Sequence, residues 1–212
     1  MQPTQIYKML IRIVSDRYIM KFKLCVIIFL SFLSCTAKRN YLNTIDCSYW
    51  ANDSLAEESQ IQPRGMCAFF ENGQIYACNS TLKRLQFSEK GLSAIYTIKY
   101  GWLFVKKDGS TIPTITFDNG ADYFVENLAR YTENGKIGFI DENGNIAIKA
   151  EYVFAFPFRN SYAIVCNGCT PVPYDEYSVL TGGTWGCIDK NGNIVLPMKY
   201  RKNEIMSEVE KL

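Results

Sequence analysis

From Met66 onward the chain alternates short apolar runs with glycine-centred polar pairs, and the alternation recurs at nearly constant spacing. A bulky residue is followed seven positions on by the Gly of an Asn-Gly or Asp-Gly pair, then fourteen or fifteen further on by a Phe. The anchors are Met66, Gly73 and Phe87; Trp102, Gly109 and Phe124; Ile137, Gly144 and Phe158; and Trp185 with Gly192. Glycine to glycine the steps are 36, 35 and 48. Spacing held while side chains vary marks one small structural unit used four times.

Asn-Gly flanked by alternating apolar residues signals a β-hairpin, because both turn positions tolerate positive φ. Each unit therefore begins with a hairpin, and a further strand follows the Phe, as in Asn127–Tyr131 and Ser161–Val165. The expected fold is all-β: tandem three-stranded antiparallel meanders, about four units of ~35 residues, in an elongated array. An open array is preferred to a closed sheet, because four irregular copies with one long step suit closure poorly. The units are placed near 65–100, 101–134, 135–182 and 183–200, with a polar tether at 36–64 and a polar tail at 201–212. Helical periodicity is confined to Asn203–Leu212.

The segments Ile137-Gly138-Phe139-Ile140-Asp141-Glu142-Asn143-Gly144 and Trp185-Gly186-Cys187-Ile188-Asp189-Lys190-Asn191-Gly192 share one pattern, each followed by a Tyr (Tyr152, Tyr200). This pattern resembles the WG repeat family of bacterial proteins, over roughly residues 65–200. Unit 101–134 departs by carrying Leu103 in place of the Gly, and unit 65–100 by carrying Met66-Cys67. The resemblance implies tandem β-units in envelope or secreted proteins and brings no catalytic residues or cofactor with it. At the Trp-Gly pair the large side chain is expected to be buried, with the Gly allowing close backbone approach. A core role for Trp102 and Trp185 outranks glycan stacking, since Ile137 and Met66 fill the same slot. Asp141 and Asp189 beside the turns are expected to stabilise them rather than bind a cation, since Lys106 takes that slot in one unit.

Histidine is absent, which removes His-dependent nucleophile activation, His-ligated zinc and His acid–base catalysis. Formal charge is +2, but residues 1–35 hold five Lys/Arg against Asp16, leaving 18 basic and 20 acidic groups in the remainder. That balance predicts no nucleic-acid footprint. No metal site is expected.

Residues 20–35 carry a basic start, an apolar run from Leu24 to Leu33, and Ser34-Cys35. The run is too short to span a membrane and has the layout of a secretory signal. Phe32-Leu33-Ser34-Cys35 resembles a bacterial lipobox, in which Cys35 would be lipidated. Cleavage after Ala37 is the alternative, giving a secreted or periplasmic soluble protein. Residues 1–19, before Met20, suggest an overextended start.

Six further cysteines, Cys47, Cys67, Cys78, Cys166, Cys169 and Cys187, suit disulfides in an exported chain. A two-residue loop at Asn72-Gly73 would place Cys67 opposite Cys78, and that pair is expected. A clip from Cys166 or Cys169 to Cys187 would pin the extra segment Asn167–Gly183, leaving Cys47 the remaining partner. Pro171 and Pro173 oppose a helix, and with it a redox Cys-x-x-Cys.

Within the extra segment Tyr174, Asp175, Glu176 and Tyr177 form the candidate contact site, two tyrosines beside acids on a loop added to a repeat scaffold. The expected function is a non-catalytic interaction or scaffold module at the cell envelope, bound to the membrane by a lipid, with an envelope protein or glycan as partner. One alternative is a glycosidase using an Asp/Glu pair, for which Glu126, Asp141 and Asp175 are candidates; another is a purely structural surface protein. Metabolic labelling with palmitate should mark the wild-type chain and be lost in Cys35→Ala; release of unlabelled wild type into the medium contradicts anchoring.

Overall fold

Apolar runs broken by Asn-Gly and Asp-Gly pairs fold into antiparallel sheets throughout, in the all-β class expected. The structure is a computed structural model and describes residues 43–49, 62–175 and 177–212. A first group of strands comprises β1 (Thr44–Tyr49), β2 (Gln62–Glu71), β3 (Gln74–Ala77), β4 (Leu92–Thr97), β5 (Gly101–Lys106) and β6 (Thr111–Pro113), with the short helix α1 (Asn79–Leu82) after β3. A small hairpin, β7 (Thr116–Phe117) and β8 (Gly120–Ala121), leads to β9 (Leu128–Glu133), β10 (Lys136–Asp141) and β11 (Ile146–Tyr152). The last sheet holds β12 (Phe154–Ala155), β13 (Tyr162–Tyr174), β14 (Tyr177–Asp189) and β15 (Ile194–Tyr200), followed by helix α2 (Lys202–Val209).

Two assignments made from the sequence change. Strand β1 lies inside the stretch expected to be a tether, and the first sheet runs β3-β2-β1-β4-β5-β6. Ile45, Cys47 and Tyr49 point inward in strict alternation, so a six-residue strand with period two sits among polar neighbours. With β1 inserted, the sheet's two edges meet: Ala77 N–H donates to Gly109 O at 2.8 Å, Tyr76 bridges Ser110, and the Thr111 hydroxyl donates to Ile75 O at 2.7 Å. This sheet is therefore closed, where an open arrangement was expected. The polar tail likewise contains a docked helix. Glu204 accepts the Arg201 N–H at 2.8 Å, and Ile205 is fully buried against Cys166, Cys169, Trp185 and Cys187.

The hairpins use two kinds of turn. Asn72-Gly73 is a two-residue loop with both residues at positive φ (51° and 82°), and Glu71 faces Gln74. The other three units use a three-residue loop in which only the Gly has positive φ, its N–H donating to Lys106, Asp141 or Asp189 at 2.9, 2.9 and 3.0 Å. The tips of these turns rest on the preceding unit. A Cβ on Gly109 would meet Ala77, on Gly144 Lys106, Leu92 and Ile112, and on Gly192 Ile148. Successive units thus stack through the residues that make their turns.

The Trp-Gly pair has a steric cause. Trp185 and Trp102 are buried, as is Ile137, while Met66 is 56% exposed because the β1–β2 ladder breaks register beside it. Opposite Gly138 the β10–β11 register shifts by two residues, from Ile137↔Tyr152 to Phe139↔Ile148. Opposite Gly186 the same shift recurs, from Trp185↔Tyr200 to Cys187↔Leu196. The bulged partner folds over the glycine: a Cβ on Gly138 would lie 2.5 Å from Ile148 O, and on Gly186 2.7 Å from Leu196 O. Neither glycine has positive φ, so room and not dihedral freedom is what the position demands. Leu103 replaces the Gly where β5 and β6 pair without a shift, and its side chain is fully buried in the first core.

Aromatic pairs repeat with the unit. Phe104 meets Phe124 at 5.5 Å and Phe139 meets Phe158 at 4.8 Å between ring centres. A buried ion pair joins two units: Arg130 donates to Asp122 through Nε at 2.9 Å and Nη2 at 2.6 Å, and to Ala155 O through Nη1 at 3.0 Å. Asp122 also accepts the Arg130 backbone N–H at 2.8 Å. All three nitrogens of the guanidinium and both oxygens of the carboxylate are hydrogen-bonded, the kind of geometry in which buried charge is tolerated.

Gly186→Ala should lower stability by about 1–3 kcal/mol in urea unfolding, since overpacking against fixed backbone outweighs the fraction of a kcal/mol that Ala gains over Gly in a strand. Gly120→Ala is the control: its nearest contact would be 3.6 Å away at ordinary φ, and little change is expected. Asp122→Ala, which strands the Arg130 charge, should cost about 3–5 kcal/mol in the same assay.

Candidate functional site

The extra residues of the third unit form an extension of one hairpin. Strands β13 and β14 pair from Tyr162↔Asp189 to Tyr174↔Tyr177, thirteen residues each, while β15 pairs only Trp185, Cys187 and Ile188 and β12 only Val165 and Cys166. Beyond Cys169 and Gly182 the hairpin is a two-stranded ribbon with Pro171, Val172, Pro173 and Ser178 exposed. Asp175 stands at the tip with φ 55° and is exposed. Glu176 lies outside the described residues, and for Tyr174 and Tyr177 only the pairing is described. The three described candidate contact residues, Tyr174, Asp175 and Tyr177, thus fall at the end of a ribbon rather than on an irregular loop.

The base of the ribbon is built from cysteines, in pairings that differ from those expected. Cys166 bonds Cys169 within β13 across Gly168, which has φ 71°, with the two Cα atoms 6.2 Å apart. Cys187 is free and buried, and burial pushes its thiol up to about 11. It lies opposite Ile164 in the ladder, not opposite either expected partner. In the first sheet Cys67 bonds Cys47, with Cα atoms 5.8 Å apart. The hairpin register does bring Cys78 to Cys67, its N–H donating to the Cys67 carbonyl at 2.9 Å. The insertion of β1 on the other flank of β2 supplies the sulfur that bonds. Cys35 and the apolar run before it lie outside the described residues.

Of the acids named as candidates, Glu126 and Asp141 are engaged in structure, while Asp175 stands exposed at the ribbon tip. Asp141 Oδ1 accepts the N–H of Asn143 at 2.9 Å and of Asn145 at 2.8 Å, and Oδ2 accepts the Asn145 amide at 3.0 Å. Asp189 repeats this with Asn191 and Asn193 at 2.9 and 2.8 Å. Where Lys106 takes the slot, the task passes to Asp108, which accepts the Ser110 N–H at 2.9 Å and hydroxyl at 2.7 Å. Partial burial works against ionisation of Asp141, but the bonds from Asn145 and Asn143 outweigh it and hold the carboxyl below its ordinary range. The Asn193 side-chain bond does the same for Asp189, and the Ser110 hydroxyl for Asp108. Glu126 pairs with Lys190 at 2.8 Å and accepts the Ser161 N–H at 3.0 Å, joining three turns, and the Lys190 bond lowers its pKa.

A second feature is an open cleft of about 980 Å³ at the end of the first sheet, where it faces the β9–β10 turn. Phe70 and Tyr100 line it together with Gln74, Lys106, Glu133 and Asn145. Apolar surface beside convergent amides and charges is the make-up of a small-ligand site. No single motif marks it in the sequence, because its residues come from separate turns.

The profile of one protein family, described as WG containing repeat, matches residues 137–168 and 185–202. These are the segments in which the bulged partner strand covers a glycine. These two segments are WG repeats. Neither the curated proteins nor the solved structures gave a match. Within the WG segments the first residue is core, so Trp185 is unavailable for stacking on a ligand: it is fully buried, with its indole N–H donating to Gly182 O at 3.0 Å.

The three turn aspartates have depressed pKa values, so their contribution to stability is complete above the ordinary carboxylate value near ~3.9 and is lost as pH falls through the lower folded values. The melting temperature should therefore drop steeply below about pH 4. In the double variant Asp141→Ala, Asp189→Ala it should be lower at pH 7 and vary less between pH 5 and pH 3; an unchanged acid limb contradicts the assignment.

Proposed function

We propose that this WG-repeat protein is a non-catalytic interaction module, exported and held at the cell envelope by a lipid on Cys35, and that it recognises its partner with the ribbon formed by Thr170–Thr181. The observation that carries the proposal is the ribbon itself, a hairpin continued past the last residues that β12 and β15 cover. Most large apolar residues of the repeats are instead buried in the cores, while Ile98, Ile146 and Ile194 stand exposed singly on separate turns and strands. The exposed Pro171 and Pro173 on one face of the ribbon and Val172 on the other give it apolar surface on a hydrogen-bonded two-stranded support, which lowers the entropic cost of binding.

The engagement of Glu126, Asp141 and Asp189 in turns and an ion pair supports this over a paired-acid glycosidase, whose general acid needs a raised pKa. Glycan binding is favoured by one separate observation, the cleft beside Phe70 and Tyr100, with Phe70 39% exposed.

Cross-linking on intact cells is the test. Replacement of Pro171–Leu180 by a two-residue Asn-Gly turn, which keeps Thr170 opposite Thr181, should leave the fold intact and abolish the cross-linked adduct. Retention of that adduct, together with its loss in Phe70→Ala, Tyr100→Ala, moves recognition to the cleft and overturns the ribbon assignment.

A further inference from the structure

The two edges of the ribbon differ. In a hairpin with a two-residue turn, the residues flanking the turn exchange backbone hydrogen bonds, and every second pair outward does the same. Tyr174–Tyr177, Val172–Val179 and Thr170–Thr181 are those pairs. The backbone groups of Pro171 and Pro173 on β13, and of Ser178 and Leu180 on β14, therefore face away from the ribbon. Proline has no N–H, so the outer edge of β13 presents no donor at either position and rejects another strand. The outer edge of β14 keeps both donors and both acceptors, and among the described residues no strand pairs with it before Trp185. It ends at Gly182, whose carbonyl accepts the Trp185 indole N–H.

We infer that the β14 edge of this WG-repeat protein pairs with the same edge of a second copy, antiparallel about Val179, to give a closed dimer through a four-stranded sheet. The proposal rests on the ribbon being a recognition element. With the two-fold axis at Val179, Ser178 of each copy faces Leu180 of the other, and the four outward N–H and C=O groups on each strand's Ser178 and Leu180 are all satisfied. Val179 then meets its own counterpart across the axis, an apolar contact in the close-spaced, non-hydrogen-bonded position. The same register brings the acidic tip residue Asp175 of the second copy opposite Gly183, beside the start of α2, where Arg201 and Lys202 follow Tyr200. The proline-blocked edges become the outer strands of the four-stranded sheet. Growth stops at two copies, because an isologous pair consumes both open edges and the remaining edges cannot donate.

Sedimentation velocity on the full chain should show a concentration-dependent dimer and no larger species. Leu180→Pro removes one outward donor without touching the bonds to β13, and should be monomeric at concentrations where the wild type is paired. Val179→Cys, placed at the axis, should form an intermolecular disulfide under oxidation, whereas Val172→Cys on the blocked strand should not; these variants keep the test valid where Leu180→Pro misfolds. Pro171→Ala, Pro173→Ala should open the second edge and yield species larger than a dimer. A wild type that stays monomeric at every concentration, or a dimer that the Val179→Cys substitution fails to cross-link, overturns the proposal. A monomeric wild type whose cell-surface adduct still depends on the ribbon removes self-pairing alone and leaves recognition by the ribbon in place.

Discussion

The repeat rests on a close approach between backbones. In the two matched segments a strand bulges by two residues and folds its carbonyls over the glycine that follows the large core residue, to within a distance no Cβ permits. The bulge bends the second strand of the hairpin across the first, and this carries the chain toward its next unit. It also closes the large residue in from above, which is why Trp185 is fully buried in a sheet of only four strands. Where Leu103 stands, the bulge is missing and the strands run straight into the wall of the closed first sheet. One side chain at one position thus separates two ways of using the same hairpin.

Turns do the remaining work of assembly. The aspartate before each matched three-residue loop organises the loop from within, and the glycine at its end is small enough for the loop to settle on the unit before it. Glu126, Lys190 and Ser161 tie three turns together at the surface, while Arg130, paired with Asp122, ties two units in the interior through its bond to Ala155 O. The interior link is the more demanding one. Both partners have lost water, and the pair is held by hydrogen bonds to every nitrogen of the guanidinium and both oxygens of the carboxylate. Polar groups in this protein therefore serve chiefly as joints between apolar units.

The ribbon departs from that economy. It extends a hairpin beyond its covering strands, is anchored at its base by a disulfide within β13 and by the buried α2 residue Ile205, and blocks one of its own edges with alternate prolines. An unpaired edge is a hazard in a soluble sheet. Protection of one edge only is what a strand kept for pairing would show.

The class of fold, the positions of the hairpins and the reason for the Trp-Gly pair are legible in the sequence, because they depend on local chemistry: alternation with period two, turn residues of known φ preference, and a glycine where a larger residue is excluded. The Asn72-Gly73 register follows from the same local rules. Matters of neighbourhood are settled by packing instead. Strand β1 is hidden in a polar stretch, since six alternating residues gain meaning only from the strands on either side of them. Its insertion closes the first sheet and gives Cys67 to Cys47, against the partner that the hairpin register offers. Arg130 reads like any strand arginine until Asp122, eight residues earlier, comes under it. Pro171 and Pro173 speak only against a helix until the ladder shows which way each faces. Long-range pairing is set by which strands meet, and that is a property of the whole chain's packing and not of any window along it.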